Sequence, residues 1–123
     1  MTDHVRLEPA GRIRIRAAGQ PIVDTTRGYV VHEVGLPDRY YVPRDEVRAE
    51  IADGEGGARC PWKGLWKHLD VIIPAAGAAA GAAAGGQRIG NAAWTYYEAT
   101  PTCAPIQDFI AFYPTKVDAI DVG

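Results

Sequence analysis

Apolar residues in this chain recur in short runs of period two, and glycine or proline cuts nearly every run after a few residues. That punctuation favours short strands joined by turns, because proline fixes φ and withholds an N–H while glycine opens turn conformations. Arg12-Ile13-Arg14-Ile15-Arg16 is the clearest case, with isoleucine on one face and arginine on the other. This is the pattern of a half-buried strand. Gly19-Gln20-Pro21 breaks it, and Ile22 to Thr26 resumes as an antiparallel partner. Gly28 to Val34 reads as a third strand, Gly35-Leu36-Pro37-Asp38 as a turn, and Tyr40-Tyr41-Val42 as a fourth strand stopped by Pro43. Arg44 to Ile51 fits a short helix or an irregular strand, and Asp53 to Gly57 reads as a loop. Further strands are expected at Leu65 to Ile73, Ala92 to Tyr97, Ile106 to Tyr113 and Val117 to Ile120, with a proline turn between Pro101 and Pro105. The expectation is a mainly β sandwich or open barrel with little helix.

The 123 residues suit one domain, residues 1–123, with a core that needs no disulfide or metal. A formal net charge of −2 leaves no basic excess for a nucleic-acid backbone, so a nucleic-acid partner is not expected. The N-terminus has no apolar core of a secretory signal, and no apolar stretch is long enough to span a bilayer, so no membrane partner is expected. Cys60 and Cys103 are too few for a disulfide framework and read as reduced thiols of a cytoplasmic protein. Ala75 to Gly86 holds only alanine and glycine. It reads as a flexible or weakly helical insertion, with a small-residue helix seam as the alternative.

Chemistry concentrates around Cys60-Pro61-Trp62-Lys63-Gly64, a turn that carries a thiol, an indole and an amine. Cys60 lies between Arg59 and Lys63, with His68 on the next strand. Those cations suit a thiolate nucleophile, while a small buried apolar role is the alternative. Zinc is not expected, because the cysteines are far apart and His4, His32 and His68 are scattered. No phosphate-cradling glycine motif is present. No cofactor is implied. Asp45-Glu46 and the Asp53/Glu55 pair read as solvated surface acids rather than magnesium ligands. Trp62, Trp66, Trp94, Tyr40, Tyr41, Tyr96 and Tyr97 fall in three segments, and alternation puts Trp94 and Tyr96 on one face. The aromatics fit either a small-molecule pocket, with Lys63 and Arg44 as anion contacts, or plain sheet core.

These motifs together resemble the domain of unknown function number 427, which is also labelled a nucleotidyltransferase domain. The matching pieces are Arg12-Ile13-Arg14-Ile15, Tyr40 to Val47, Cys60 to Gly64, Ala92 to Tyr96, Ala104-Pro105-Ile106 and Ala111-Phe112-Tyr113-Pro114 leading to Val117-Asp118. The resemblance runs from about Arg12 to Val122 and implies two packed, strongly bent antiparallel sheets, a β-tent. It also implies kinship of fold with methionine-R-sulfoxide reductases and the imide-binding domain of cereblon. Neither the Arg-x-Cys-x-Asn context of the reductases nor the paired zinc cysteines of cereblon occurs here. The family's usual Tyr-Trp pair after the turn is His68-Leu69 here, and Trp66 stands where a small residue is usual. The nucleotidyltransferase label implies a Gly-Ser turn and strand carboxylates for metal-bound triphosphate, and the chain has no Gly-Ser dipeptide.

The leading expectation is a small-molecule-binding β domain whose pocket uses Tyr41, Arg44, Cys60, Trp62, Lys63, Trp94 and Tyr96. An enzyme working through Cys60 or the Arg44/Asp45 pair is the first alternative. A dimeric interaction module using the arginine face of the first strand is the second, so a monomer or a homodimer is expected.

Overall fold

In the computed structural model, which describes residues 4–75 and 86–123, the period-two runs form ten strands in two antiparallel sheets. The strands are β1 (Val5–Pro9), β2 (Ile13–Ala17), β3 (Gln20–Thr25), β4 (Tyr29–Glu33), β5 (Arg39–Val42), β6 (Glu50–Cys60), β7 (Gly64–Ile73), β8 (Gln87–Ala99), β9 (Ile110–Phe112) and β10 (Ala119–Val122). The larger sheet has the order β1-β4-β5-β9-β8-β7-β6, and the smaller has β10-β2-β3. The only helical pieces among the described residues are two 3-10 turns, Arg44–Glu46 and Pro101–Ile106. The mainly β expectation of two antiparallel sheets holds.

The alternation Arg12 to Arg16 places Ile13, Ile15 and Ala17 inward, and all three are buried. They pack with Ile22 and Val23 of β3 against Val42, Leu69, Val71, Ala93, Ile110 and Phe112 of the large sheet. Burying each Ile, Leu or Val contributes about 1.5–3 kcal/mol, so this layer between the sheets is the main hydrophobic core. The outward arginines pair locally, with Arg12 bonding both carboxylate oxygens of Asp24 at 2.9 and 2.8 Å and Arg16 donating to the Gly19 carbonyl. The Asp24 carboxyl is consequently held below the usual carboxylate range.

Several boundaries differ from expectation. The expected loop Asp53 to Gly57 is part of β6. Asp53 faces Leu69 and Gly57 faces Lys67, so three residues oppose one. The bulge forms because Gly56 takes φ +86°, and Asn91 exchanges two hydrogen bonds with the Glu55 backbone, at 2.9 and 3.1 Å. Arg44 to Ile51 divides into a 3-10 turn and the start of β6, because Pro43 sets extended backbone ahead of a single turn. Ile106 belongs to the second 3-10 turn, which leaves β9 only three residues. β1 was not expected, although Val5-Arg6-Leu7-Glu8 alternates over four residues before Pro9, and it pairs with β4 over five residues. The Gly/Ala insertion reading falls largely on residues 76–85, outside the described residues. No helix among the described residues is long and apolar enough to cross a membrane.

Candidate functional site

Strand register assembles the site from residues far apart in sequence. Tyr29 faces Tyr41, Tyr41 faces Ala111, Ala111 faces Trp94 and Trp94 faces His68. This row crosses five strands of the large sheet on the face turned away from the small sheet. Side chains two positions along share that face, which adds Arg39 to Tyr41, Tyr96 to Trp94, Trp66 to His68 and Tyr113 to Ala111. Tyr41, Trp94 and Tyr96 pack there with Val31, Ala111, Cys103 and Ile106 in a second hydrophobic cluster. Cys103 and Ile106 come from the Pro101–Ile106 turn, which covers one end of the face.

An open cavity of about 260 Å³ sits on this cluster, lined by Val31, Glu33, Leu36, Pro37, Arg39, Cys60, Lys63, Trp66, Trp94, Tyr96 and Tyr113. The aromatic walls are interlocked. Trp94 donates its Nε1–H to the Tyr41 hydroxyl at 3.0 Å, and the two rings meet edge-on at 6.0 Å. Tyr113 lies 4.4 Å from the Trp94 ring. His68 links Tyr113 to the bulge. Its Nδ1 donates to the Glu55 carbonyl at 3.0 Å, so Nε2 is the site that accepts the Tyr113 O–H, also at 3.0 Å. Burial pushes the hydroxyls of Tyr41, Tyr96 and Tyr113 up from the ordinary tyrosine value, so all three stay protonated at neutral pH.

Two cations among the described residues reach the cavity, and they are partnered differently. Lys63 Nζ is ion-paired with Glu33, both side chains being about nine-tenths buried. It also lies 5.5 Å from the centroid of the Tyr96 ring. Glu33 has a second neighbour in His4 Nε2 at 3.4 Å. Arg39 lies 5.5 Å over the Trp94 ring. Among the described residues no carboxylate bridges it. Its neighbour Asp38 is held by His32 Nδ1 at 2.8 Å.

The Cys60 to Gly64 turn joins β6 to β7 and delivers Lys63 to the cavity. Lys63 N–H closes the turn on the Cys60 carbonyl at 3.2 Å, and the Lys63 carbonyl accepts from Thr100 N–H at 3.0 Å. The Trp62 carbonyl accepts from the Thr100 hydroxyl at 2.9 Å, which ties the turn to the 3-10 segment. Gly64 has φ +120°, and a Cβ there would fall inside the Glu98 carbonyl oxygen. Glycine is therefore required for the turn to close against β8.

Of the seven residues expected at the pocket, Cys60, Lys63, Trp94 and Tyr96 line the cavity, and Tyr41 supports Trp94 from beneath. Trp62 and Arg44 do not line it. Trp62 points outward, 43% exposed, and stacks on His4 at 4.1 Å. Arg44 is exposed in the first 3-10 turn, and Asp45 beside it pairs with Arg27 at 3.5 Å. Arg39 takes the place expected of Arg44, because β5 runs to Val42 and Pro43 turns the next residues off the sheet. Glu33 and Tyr113 were not singled out from sequence, although counting by two from Val31 and from Ala111 reaches both. Cys60 presents a half-buried free thiol at the cavity wall, whereas Cys103 is fully buried and burial pushes its thiol up. No group of three or more His, Cys, Asp or Glu side chains among the described residues is arranged to hold a metal ion.

The chain belongs to the family described as a domain of unknown function, DUF427, whose profile matches residues 6–123. No curated protein matches the sequence.

Proposed function

We propose that this member of a family of unknown function binds a small molecule in the aromatic cavity of its large sheet. The observation that carries the reading is the convergence of Trp66, Trp94, Tyr96 and Tyr113 around one cavity with only a few polar groups, Lys63, Glu33, Arg39 and Cys60. Apolar walls with a small number of fixed polar groups are the usual composition of a ligand site. The walls are held by hydrogen bonds that need no ligand, so the site is preformed, which lowers the cost of binding. Two free thiols support a reducing, cytoplasmic setting.

A thermal-shift screen against a metabolite library tests this. Hits should raise Tm in the wild type and in Trp62→Ala, whose side chain lies outside the cavity, but not in Trp66→Ala. A screen without hits, or hits that persist in Trp66→Ala, would refute the reading. Catalysis through Cys60 is the second reading, favoured by the thiol facing the same cavity as Lys63. It requires alkylation by iodoacetamide much faster than that of an ordinary thiol near neutral pH, and ordinary kinetics would remove it.

A further inference from the structure

We infer that the ligand of this cavity is a flat monoanion whose acidic group is received by Arg39. The inference rests on the binding role proposed above and follows from counting charges around the cavity. Among the described residues three charged side chains line it: Glu33, Lys63 and Arg39. Glu33 and Lys63 cancel each other in a buried pair. Asp38, the carboxylate nearest Arg39 in sequence, is engaged by His32. The guanidinium is left as the one uncompensated charge among the described lining residues, and a half-buried arginine presents a planar fork matched to a carboxylate or similar oxyanion.

A cationic ligand is disfavoured on the same grounds. Aromatic cages attract cations, but here Lys63 and Arg39 already lie at the Tyr96 and Trp94 rings. A second cation would meet like charge at both rings. The arginine itself is steadied by stacking on Trp94, so it is positioned before the ligand arrives. Size narrows the class further. A cavity of roughly 150 Å³ accepts a single benzene-sized ring. The 260 Å³ here matches a two-ring aromatic or conjugated acid lying along Trp66 and Tyr96.

The test is calorimetric titration with 2-naphthoate and with its neutral isostere 2-naphthamide. The proteins are the wild type, Arg39→Gln, and Arg44→Gln as a surface-charge control. The wild type and Arg44→Gln should prefer the acid by about ten- to a hundredfold, the usual range for a charge-assisted bidentate contact, and Arg39→Gln should lose that preference. Circular dichroism on each variant reports that the fold is retained. Equal binding of acid and amide by the wild type would overturn the anion inference and leave the pocket reading standing. An equal loss in Arg44→Gln would also overturn it, by showing that surface charge and not the cavity draws the acid. Binding of neither compound would overturn the inference of a flat two-ring acid, whereas the pocket reading falls only if the library screen also gives no hit.

Discussion

Breaking the Lys63–Glu33 pair should cost this domain much of its stability, and the cost should be strongly non-additive. The two side chains are 10% and 9% exposed, so each has lost nearly all of its water. Removing one partner of a buried pair typically costs about 3–5 kcal/mol, because the survivor is left charged and desolvated. Both survivors here keep some compensation. Glu33 retains His4 at 3.4 Å, and Lys63 retains the face of Tyr96 at 5.5 Å. Each single change, Lys63→Met or Glu33→Gln, is therefore expected near the low end, at about 3 kcal/mol. For a chain of this length that corresponds to a Tm lowered by about 12 °C.

The double variant leaves no orphaned charge. It should recover about 2 kcal/mol or more of the summed loss. Urea titrations followed by tryptophan fluorescence give the four free energies of the cycle. Additivity within about 0.5 kcal/mol would show that solvent screens the pair and that the burial argument is wrong.

Three further outcomes are expected. Gly64→Ala should destabilise by about 3 kcal/mol or abolish folding, since the substitution combines a left-handed φ with a collision on the β8 backbone; a Tm within a few degrees of wild type would contradict this. The His32 pKa is raised, first by Asp38 and then by Glu8, so its contribution is complete below its unfolded value of about 6.5 and fades as pH rises through the folded value; His32→Gln should flatten the wild-type decline of Tm over that interval, and a wild type without such a decline would refute it. Native protein should take one equivalent of iodoacetamide, at Cys60, with Cys103 labelled only on unfolding; peptide mass spectrometry showing Cys103 labelled first would overturn the assignment.

What could be read in advance followed a physical division. Period-two alternation and proline stops are local signals, so β2 to β5 and β7 were legible, as was the shared face of Trp94 and Tyr96. The bulge in β6 was not, because a Gly-rich stretch reads as a loop until its partner strand is known. The cavity was legible only in part for the same reason. Lys63, Cys60 and Trp94 stood out by residue type, whereas Arg39 and Glu33 are ordinary strand residues until register places them over Trp94 and beside Lys63. Arg44 drew notice through its place near the aromatic pair Tyr40-Tyr41, but nearness in sequence is not a shared face once Pro43 has ended the strand.

A charged pair buried at this wall needs a reason, since apolar residues of similar volume can replace such a pair with no loss of stability. The cavity supplies one. With Glu33 present, the net charge of the described lining residues is that of Arg39 alone, so the proposed ligand would find a match for one acidic group while Lys63 is not free to take a second. Without Glu33, Lys63 would present another uncompensated charge a short way along the same wall. The Glu33→Gln protein should therefore hold naphthoate more tightly than the wild type while melting lower. It should also begin to accept a two-ring dicarboxylate that the wild type rejects. Stability and selectivity would then both trace to one carboxylate: it neutralises the buried lysine for folding, and by doing so leaves the arginine as the one uncompensated charge that the described lining residues would offer a ligand.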